Sequence, residues 1–201
     1  MPAAAVAEKR FSLLNDIELV ALALGGRHDE FEELVRRYQK QITGYVARIV
    51  GDHESALDVT QEVFIKVYNS LHRYRSEYKF STWLYRIAHN AAVDHLRRNP
   101  INIQSIETEN AEGTYQLQFE SPCRSPEQER TLKEWRVELG KVVGLLPDSY
   151  KQLILLRHAY EMSYDEIAEI AGLPLGTVKN RLFRAREMMR NIMIERGFDG
   201  I

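Results

Sequence analysis

The stretch "MSYDEIAEIAGLPLGTVKNRLFRAR", residues 162–186, constrains the fold more than any other part of the chain. Ser163 and Glu166 form S-x-x-E, a capping box in which each side chain satisfies an orphan backbone N–H at a helix start. Gly172 can take the left-handed turn conformation. Pro174 keeps the first helix from continuing. Ala168 is small enough to let a second helix cross closely. The pattern is helix-turn-helix, with the second helix starting near Leu175 to Thr177.

At about 100° per residue, Val178, Leu182, Ala185 and Met189 fall on one face of that second helix. Lys179, Asn180, Phe183 and Arg184 cluster on the other. An exposed ring among cations suits a major groove, where a guanidinium bridges guanine acceptors and a ring meets a thymine methyl. The competing explanation is that Phe183 packs on a neighbouring helix. Residues 176–196 hold six cations and two acids, a net of +4, although the whole chain is at −2. Concentrated basic charge is the footprint of a polyanion partner. A solvated helix face accounts for a generic Arg-rich helix equally well.

The rest of the chain organises around a break. "NPINIQSIETENAEGTYQLQFESPCRSP" carries three of the six prolines and has little periodicity. Residues 101–129 hold six acids and one arginine, a net of −5. We read a flexible acidic linker over 99–126. Before it, Leu34, Val35, Tyr38, Ile42, Tyr45, Val46 and Ile49 follow the spacing of an amphipathic helix, stopped by Gly51-Asp52. A second helix runs from about His53 to Leu71. A third starts near Ser81 or Thr82 and ends at Asn99-Pro100. After the linker, helices resume at "PEQERTLKEW", stop at Pro147 and continue through "DSYKQLILLRHAY". The expected fold is all-α: an N-terminal extension (1–24), a helical domain (25–98), the linker, and a second helical domain (127–196).

Two further segments carry chemistry. "HRYRSEYKFSTWLYRIAHN" interleaves aromatics with cations, and that composition suits stacking on unpaired bases and tracking of phosphates. Trp83, Ile87 and Ala91 recur at helical spacing, so Trp83 is expected to be structural. "RSEYKF" is polar enough for a loop. In "DVTQEVFIKVYNSL", Asp58, Gln61, Glu62 and Ile65 lie on one side of a helix. Taken alone this is an ordinary solvated face; it is also a surface a basic partner could meet.

Composition excludes other classes. Hydrophobic residues make up 44% and charged ones 28%, as in a globular chain. No apolar run approaches the roughly 20 residues needed to span a bilayer, and no signal peptide is read. The single cysteine, Cys123, excludes an internal disulfide and fits a reducing cytosol. "LGGRHDE" lacks the continuation of a phosphate-binding loop. The six histidines make no tight ligand pair with Cys123, so no metal site, cofactor or enzyme activity is expected.

Together, "DVTQEVFIKVY", "FSTWLYRIAHNAAVDHLRR" and "LPDSYKQLILLRHAYEMSYDEIAEIAGLPLGTVKNRLFRARE" resemble the extracytoplasmic-function (ECF) sigma factors of bacterial RNA polymerase, in their sigma-E-like branch. The resemblance implies that the first domain is sigma region 2. It would bind the clamp helices of the polymerase largest subunit through Asp58, Gln61, Glu62 and Ile65. It would capture a melted −10 strand with Ser76, Glu77, Tyr78, Lys79, Phe80, Arg86 and Asn90. The second domain would be region 4, reading the −35 duplex with Lys179, Asn180, Arg181, Phe183, Arg184 and Arg186. Relatives often carry Arg and Ser where this chain has Lys179 and Asn180. Implied partners are core RNA polymerase, including its flap, promoter DNA and an anti-sigma factor, in the cytoplasm and without membrane insertion. The alternatives are a helix-turn-helix regulator that binds duplex DNA without polymerase, and a pure interaction protein.

Overall fold

The computed structural model describes residues 13–99, 135 and 137–198. Those residues form helices and turns, and they divide into two compact units, an N-terminal one of residues 13–99 with which 169–171 are grouped, and a C-terminal one of the rest. The expected linker from Pro100 onward, the helix expected at "PEQERTLKEW" up to 134, and Cys123 lie outside the described residues.

The N-terminal unit has four α-helices: α1 (Asp16–Leu24), α2 (His28–Val50), α3 (His53–Ser70) and α4 (Phe80–Arg98). A 3-10 turn, Leu71–Arg73, follows α3, so the α-helix stops one residue short of the expected Leu71. Gly51 ends α2 with φ 84°, a left-handed value that a side chain would strain. Asp52 then caps α3 by accepting from the Ser55 amide at 2.7 Å. The amphipathic stripe of α2 buries Leu34, Ile42, Tyr45, Val46 and Ile49, with Val35 and Tyr38 at its half-exposed margin. α3 contributes Ala56, Val59, Val63 and Val67 to the same core, and α4 contributes Leu84, Tyr85, Ala88 and Ala92.

Three sequence expectations change here. α4 begins at Phe80 rather than at Ser81 or Thr82. Its core face is centred on Leu84, Tyr85 and Ala88, while Trp83 and Ile87 remain partly exposed at the margin. Finally, α1 occupies part of the expected N-terminal extension and packs on α2 through Leu19 and Val20. A capping box opens it, with Asn15 accepting from the Glu18 amide at 3.0 Å and Glu18 from the Asn15 amide at 2.8 Å. Seven of its nine residues are apolar, six of them in one unbroken run, so no polar face marks a helical period.

The core holds one polar contact whose ionisation matters. The Tyr45 hydroxyl lies 2.9 Å from His89 Nδ1. Burial lowers the His89 pKa and favours the neutral ring. In the unfolded chain this histidine takes up a proton near its ordinary value of about 6.5. Unfolding is therefore proton-coupled below that pH. The contribution of neutral His89 is intact above it and is lost as pH falls towards the lowered folded value. Urea midpoints measured from pH 7.5 to 5 should fall with acid, and His89→Gln should flatten that stretch of the profile.

The C-terminal unit contains a helix over 137–144 (α5), then α6 (Asp148–His158), α7 (Tyr164–Ala171) and α8 (Leu175–Glu195). Its core is Val142, Val143, Leu146, Leu153, Leu156, Ile167, Val178, Leu182, Ala185 and Met193. The expected stripe on α8 is therefore continued by Met193, and Met189 is only half-buried. Glu138 binds Lys141 at 3.1 Å and also accepts from Arg196, so α5 is tied to the residue that follows α8.

Candidate nucleic-acid interface

The helix-turn-helix geometry follows from the local chemistry. Ser163 Oγ accepts from the Glu166 amide at 3.2 Å, and Glu166 accepts from the Ser163 amide at 2.8 Å. Gly172 ends α7 at φ 63°. Pro174 then sets the entry of α8, and its carbonyl accepts from the Thr177 and Val178 amides. Upstream, the turn between α6 and α7 passes through Glu161 at φ 54°, and Arg157 braces it by donating to the Met162 carbonyl at 2.9 Å.

With that frame set, α8 presents two faces. Val178, Leu182 and Ala185 are wholly buried, while Lys179, Asn180 and Arg184 are exposed. Phe183 is 61% exposed, so it is a surface ring and not a core residue packed on a neighbouring helix. Arg181 is half-buried at the margin. Arg186 is exposed and donates to the Tyr164 hydroxyl at 3.2 Å, while the Arg157 guanidinium lies 5.1 Å from the Tyr164 ring centroid. The bond from Arg186, with the charges of Arg157 and Lys179, lowers the Tyr164 pKa below its ordinary value. Three cations, Arg157, Lys179 and Arg186, therefore act on Tyr164 at the start of α7, whose first turn also carries Asp165 and Glu166. Ser163, Tyr164, Asp165, Leu175, Lys179 and Arg157 line a shallow hollow there. No sequence pattern marks Arg157 or Tyr164, because their proximity to Arg186 depends on the crossing of three helices.

In the N-terminal unit, the segment between the 3-10 turn and α4 is a tight loop. The Tyr78 amide donates to the Arg75 carbonyl at 3.2 Å, and the Tyr74 hydroxyl donates to the Tyr78 carbonyl at 2.6 Å. Ser76, Glu77 and Lys79 are exposed, and Tyr78 is 49% exposed. Arg86 is partly exposed and Asn90 exposed on α4. Phe80 departs from the expectation that it faces a nucleic acid. It is only 2% exposed, and its ring packs on Tyr38 (5.6 Å), Tyr74 (5.7 Å) and Trp83 (5.9 Å). Its place is beneath the loop, because an apolar ring at the first turn of α4 falls on the helix's core side. Trp83 belongs to the same aromatic cluster, 5.6 Å from Tyr74.

On α3, Asp58, Gln61 and Glu62 are exposed, as the sequence implied, and Ile65 is 60% exposed. The structure adds Glu54, one turn before Asp58, and exposed apolar side chains at Leu57 (41%) and Tyr68 (46%). An acidic stripe therefore runs beside an apolar one. Lys66 lies 3.6 Å from Glu62, an exposed pair of little energetic weight.

The chain matches two family models, sigma-70 region 2 over residues 34–100 and sigma-70 region 4 over residues 136–189. It is 40% identical over 185 residues to the ECF RNA polymerase sigma-E factor of Haemophilus influenzae, covering 89% of this chain and 95% of that one. Identity to the ECF RNA polymerase sigma-E factor of Escherichia coli K12 is 39% over 183 residues, covering 89% and 94%. The RNA polymerase sigma-H factor of Pseudomonas aeruginosa is 37% identical over 177 residues, covering 86% and 90%. Among solved structures, the fold matches CnrH in complex with the cytosolic domain of CnrY (TM-score 0.62, 21% identity, 88% and 96% covered). It also matches the sigma factor RpoE of Bartonella quintana in complex with the anti-sigma factor NepR (TM-score 0.61, 19% identity, 82% and 96% covered).

Proposed function

This chain belongs to the sigma-70 family as an ECF sigma factor, and from that premise we propose how its two units divide promoter recognition. As a transcription initiation factor it binds core RNA polymerase and directs it to promoters. In our reading α8 enters the major groove of the −35 element. The observation that carries this is the separation of faces on α8: Val178, Leu182 and Ala185 are fully buried, and Lys179, Asn180, Phe183 and Arg184 are exposed. The Ser76–Lys79 loop, with Asn90 and Arg86 on α4, captures the −10 element as a single strand. Asn90 offers both a donor and an acceptor to a base edge. The α3 face with Asp58, Gln61, Glu62 and Ile65 docks on the polymerase. Such a protein works in the cytoplasm, and no helix among the described residues is long and apolar enough to cross a membrane. An anti-sigma factor is a further expected partner, since one of the solved structures matched above is a sigma factor in complex with an anti-sigma factor.

The cations of α8 should divide into two kinds. Arg184 stands with Phe183 and Asn180 on the outward face and can reach base edges. Arg186 is held sideways by Tyr164, a placement suited to phosphate. Base contacts specify and phosphate contacts mainly position. Arg184→Ala should cost about 1–3 kcal/mol and relax preference at one −35 base. Arg186→Ala should weaken all −35 sequences alike and lower the salt slope by about one unit. Holoenzyme binding to a −35 library at several salt concentrations measures both. Equal weakening of every sequence by both variants would reduce α8 to an electrostatic handle. A duplex-only regulator would need no single-strand surface, so loss of −10 preference in Asn90→Ala holoenzyme separates the two readings.

A further inference from the structure

The −10 loop is connected to α1, a helix that precedes the region 2 match at residue 34. Asp16, at the first position of α1, accepts hydrogen bonds from the Tyr38 hydroxyl and from Arg37 Nη1 at 3.0 Å. Arg37 is fixed in turn by Glu33 at 2.9 Å and by the Leu14 carbonyl at 2.9 Å. Glu33 is 4% exposed, and its carboxylate is kept ionised against the cost of burial by Arg36 and Arg37. The Tyr38 ring, anchored through its hydroxyl, meets Phe80 edge-on at 5.6 Å. Phe80 meets Tyr74 at 5.7 Å, and the Tyr74 hydroxyl holds the Tyr78 carbonyl. Contacts are therefore continuous from Asp16 to the backbone of the loop. α1 also packs against the 3-10 turn immediately before Tyr74.

We propose that Asp16 is a positioning residue for the 75–79 loop, acting through Tyr38, Phe80 and Tyr74. α1 would then set how accurately the loop presents Tyr78 and its neighbours to an unpaired strand. A loop with a few backbone hydrogen bonds of its own samples many conformations, and ordering it before binding lowers the entropy lost on capture. Aromatic edge contacts transmit that order because each ring has a preferred approach to the next. The proposal rests on the assignment of this loop to the −10 strand, and the experiment separates the two.

The variants are Asp16→Ala, the milder Tyr38→Phe, which removes only the hydroxyl, and Tyr78→Ala as the direct loop control. Two readouts are needed on the full-length protein. The first is hydrogen exchange of the 75–79 amides in the free protein. The second is base preference at −10 on a pre-opened promoter with holoenzyme, with thermal melting and core binding as controls. Tyr38→Phe should speed loop exchange by about five- to tenfold, the factor expected when one part-buried hydrogen bond of ordinary strength is lost, and Asp16→Ala, which also removes the bond from Arg37, by at least as much. The double variant should do little more than Asp16→Ala alone, because both break the same link. Preference at −10 should flatten in parallel, with core binding retained. Unchanged loop exchange in both variants overturns the proposal. So does faster exchange with −10 preference intact in these variants but lost in Tyr78→Ala. If Tyr78→Ala itself leaves −10 preference unchanged while the Asp16 variants loosen the loop, the structural link stands and the −10 assignment of the loop fails.

Discussion

Replacing Asp58 and Glu62 together by arginine is expected to abolish retention of the protein on core polymerase. Both side chains are exposed on α3, on an acidic stripe with Glu54. Neither supports the fold: α3 is held from its other face by Ala56, Val59, Val63 and Val67. Helicity should therefore survive, and surface substitutions of this kind usually change stability by no more than about 0.5 kcal/mol. The partner surface is expected to be basic, so reversal converts attraction to like-charge juxtaposition, which costs several kcal/mol across an interface. At about 1.4 kcal/mol per factor of ten, that is a loss of several hundredfold or more. A pull-down with purified core enzyme, beside a circular dichroism melt, reads both halves of the expectation. Ile65→Ala should act in the same direction more weakly, by removing one exposed apolar contact. A folded double variant that still binds core would move the docking surface off α3.

The second large effect is on stability. Leu182→Ala should unfold the C-terminal unit at temperatures where the N-terminal unit stays folded. Leu182 is wholly buried on α8 between Val178 and Ala185. Truncating a fully buried leucine removes its transfer free energy and leaves a cavity, at a cost of about 2–5 kcal/mol. A small domain of this length is stable by only about 3–9 kcal/mol in total. The adjacent Phe183→Ala, at 61% exposure, should leave the melting transition nearly unchanged. Limited proteolysis with temperature separates the two units in the full chain. The cleavage temperature of the C-terminal unit should drop for Leu182→Ala and hold for Phe183→Ala. A drop for Phe183→Ala with no change for Leu182→Ala would mean that the two faces of α8 are assigned the wrong way round.

The opposite fates of these adjacent residues are legible in the sequence alone. Side chains one position apart on a helix are separated by about 100°, so burying Val178 and Leu182 forces Lys179 and Phe183 outward. Turn chemistry was equally local: the Ser163–Glu166 box and Gly172 act through backbone groups within a few residues. The exposed acids of α3 were visible for the same reason, as the polar remainder of a period set by Val59, Val63 and Val67.

Contacts between segments distant in sequence obey no such period, and those were decided by tertiary structure alone. Phe80 sits in a stretch whose composition fits a base-stacking surface, yet Tyr38 from another helix and Tyr74 from the preceding turn enclose its ring. Trp83 shares a helical spacing with Ile87 and the buried Ala91 and packs on Tyr74 and Phe80, yet the approach of α2 and α3 also turns Leu84 and Tyr85 inward. The helix at Asp16–Leu24 is tied to α2 by Arg37 and Tyr38, which both donate to Asp16. The sequence by itself determined two helical units, the outward face of α8 and the acidic face of α3, because each follows from interactions within a few turns of one helix. Which aromatic rings face solvent, and which part of the chain holds the 75–79 loop in place, depends on side chains more than twenty residues apart meeting in a close-packed interior.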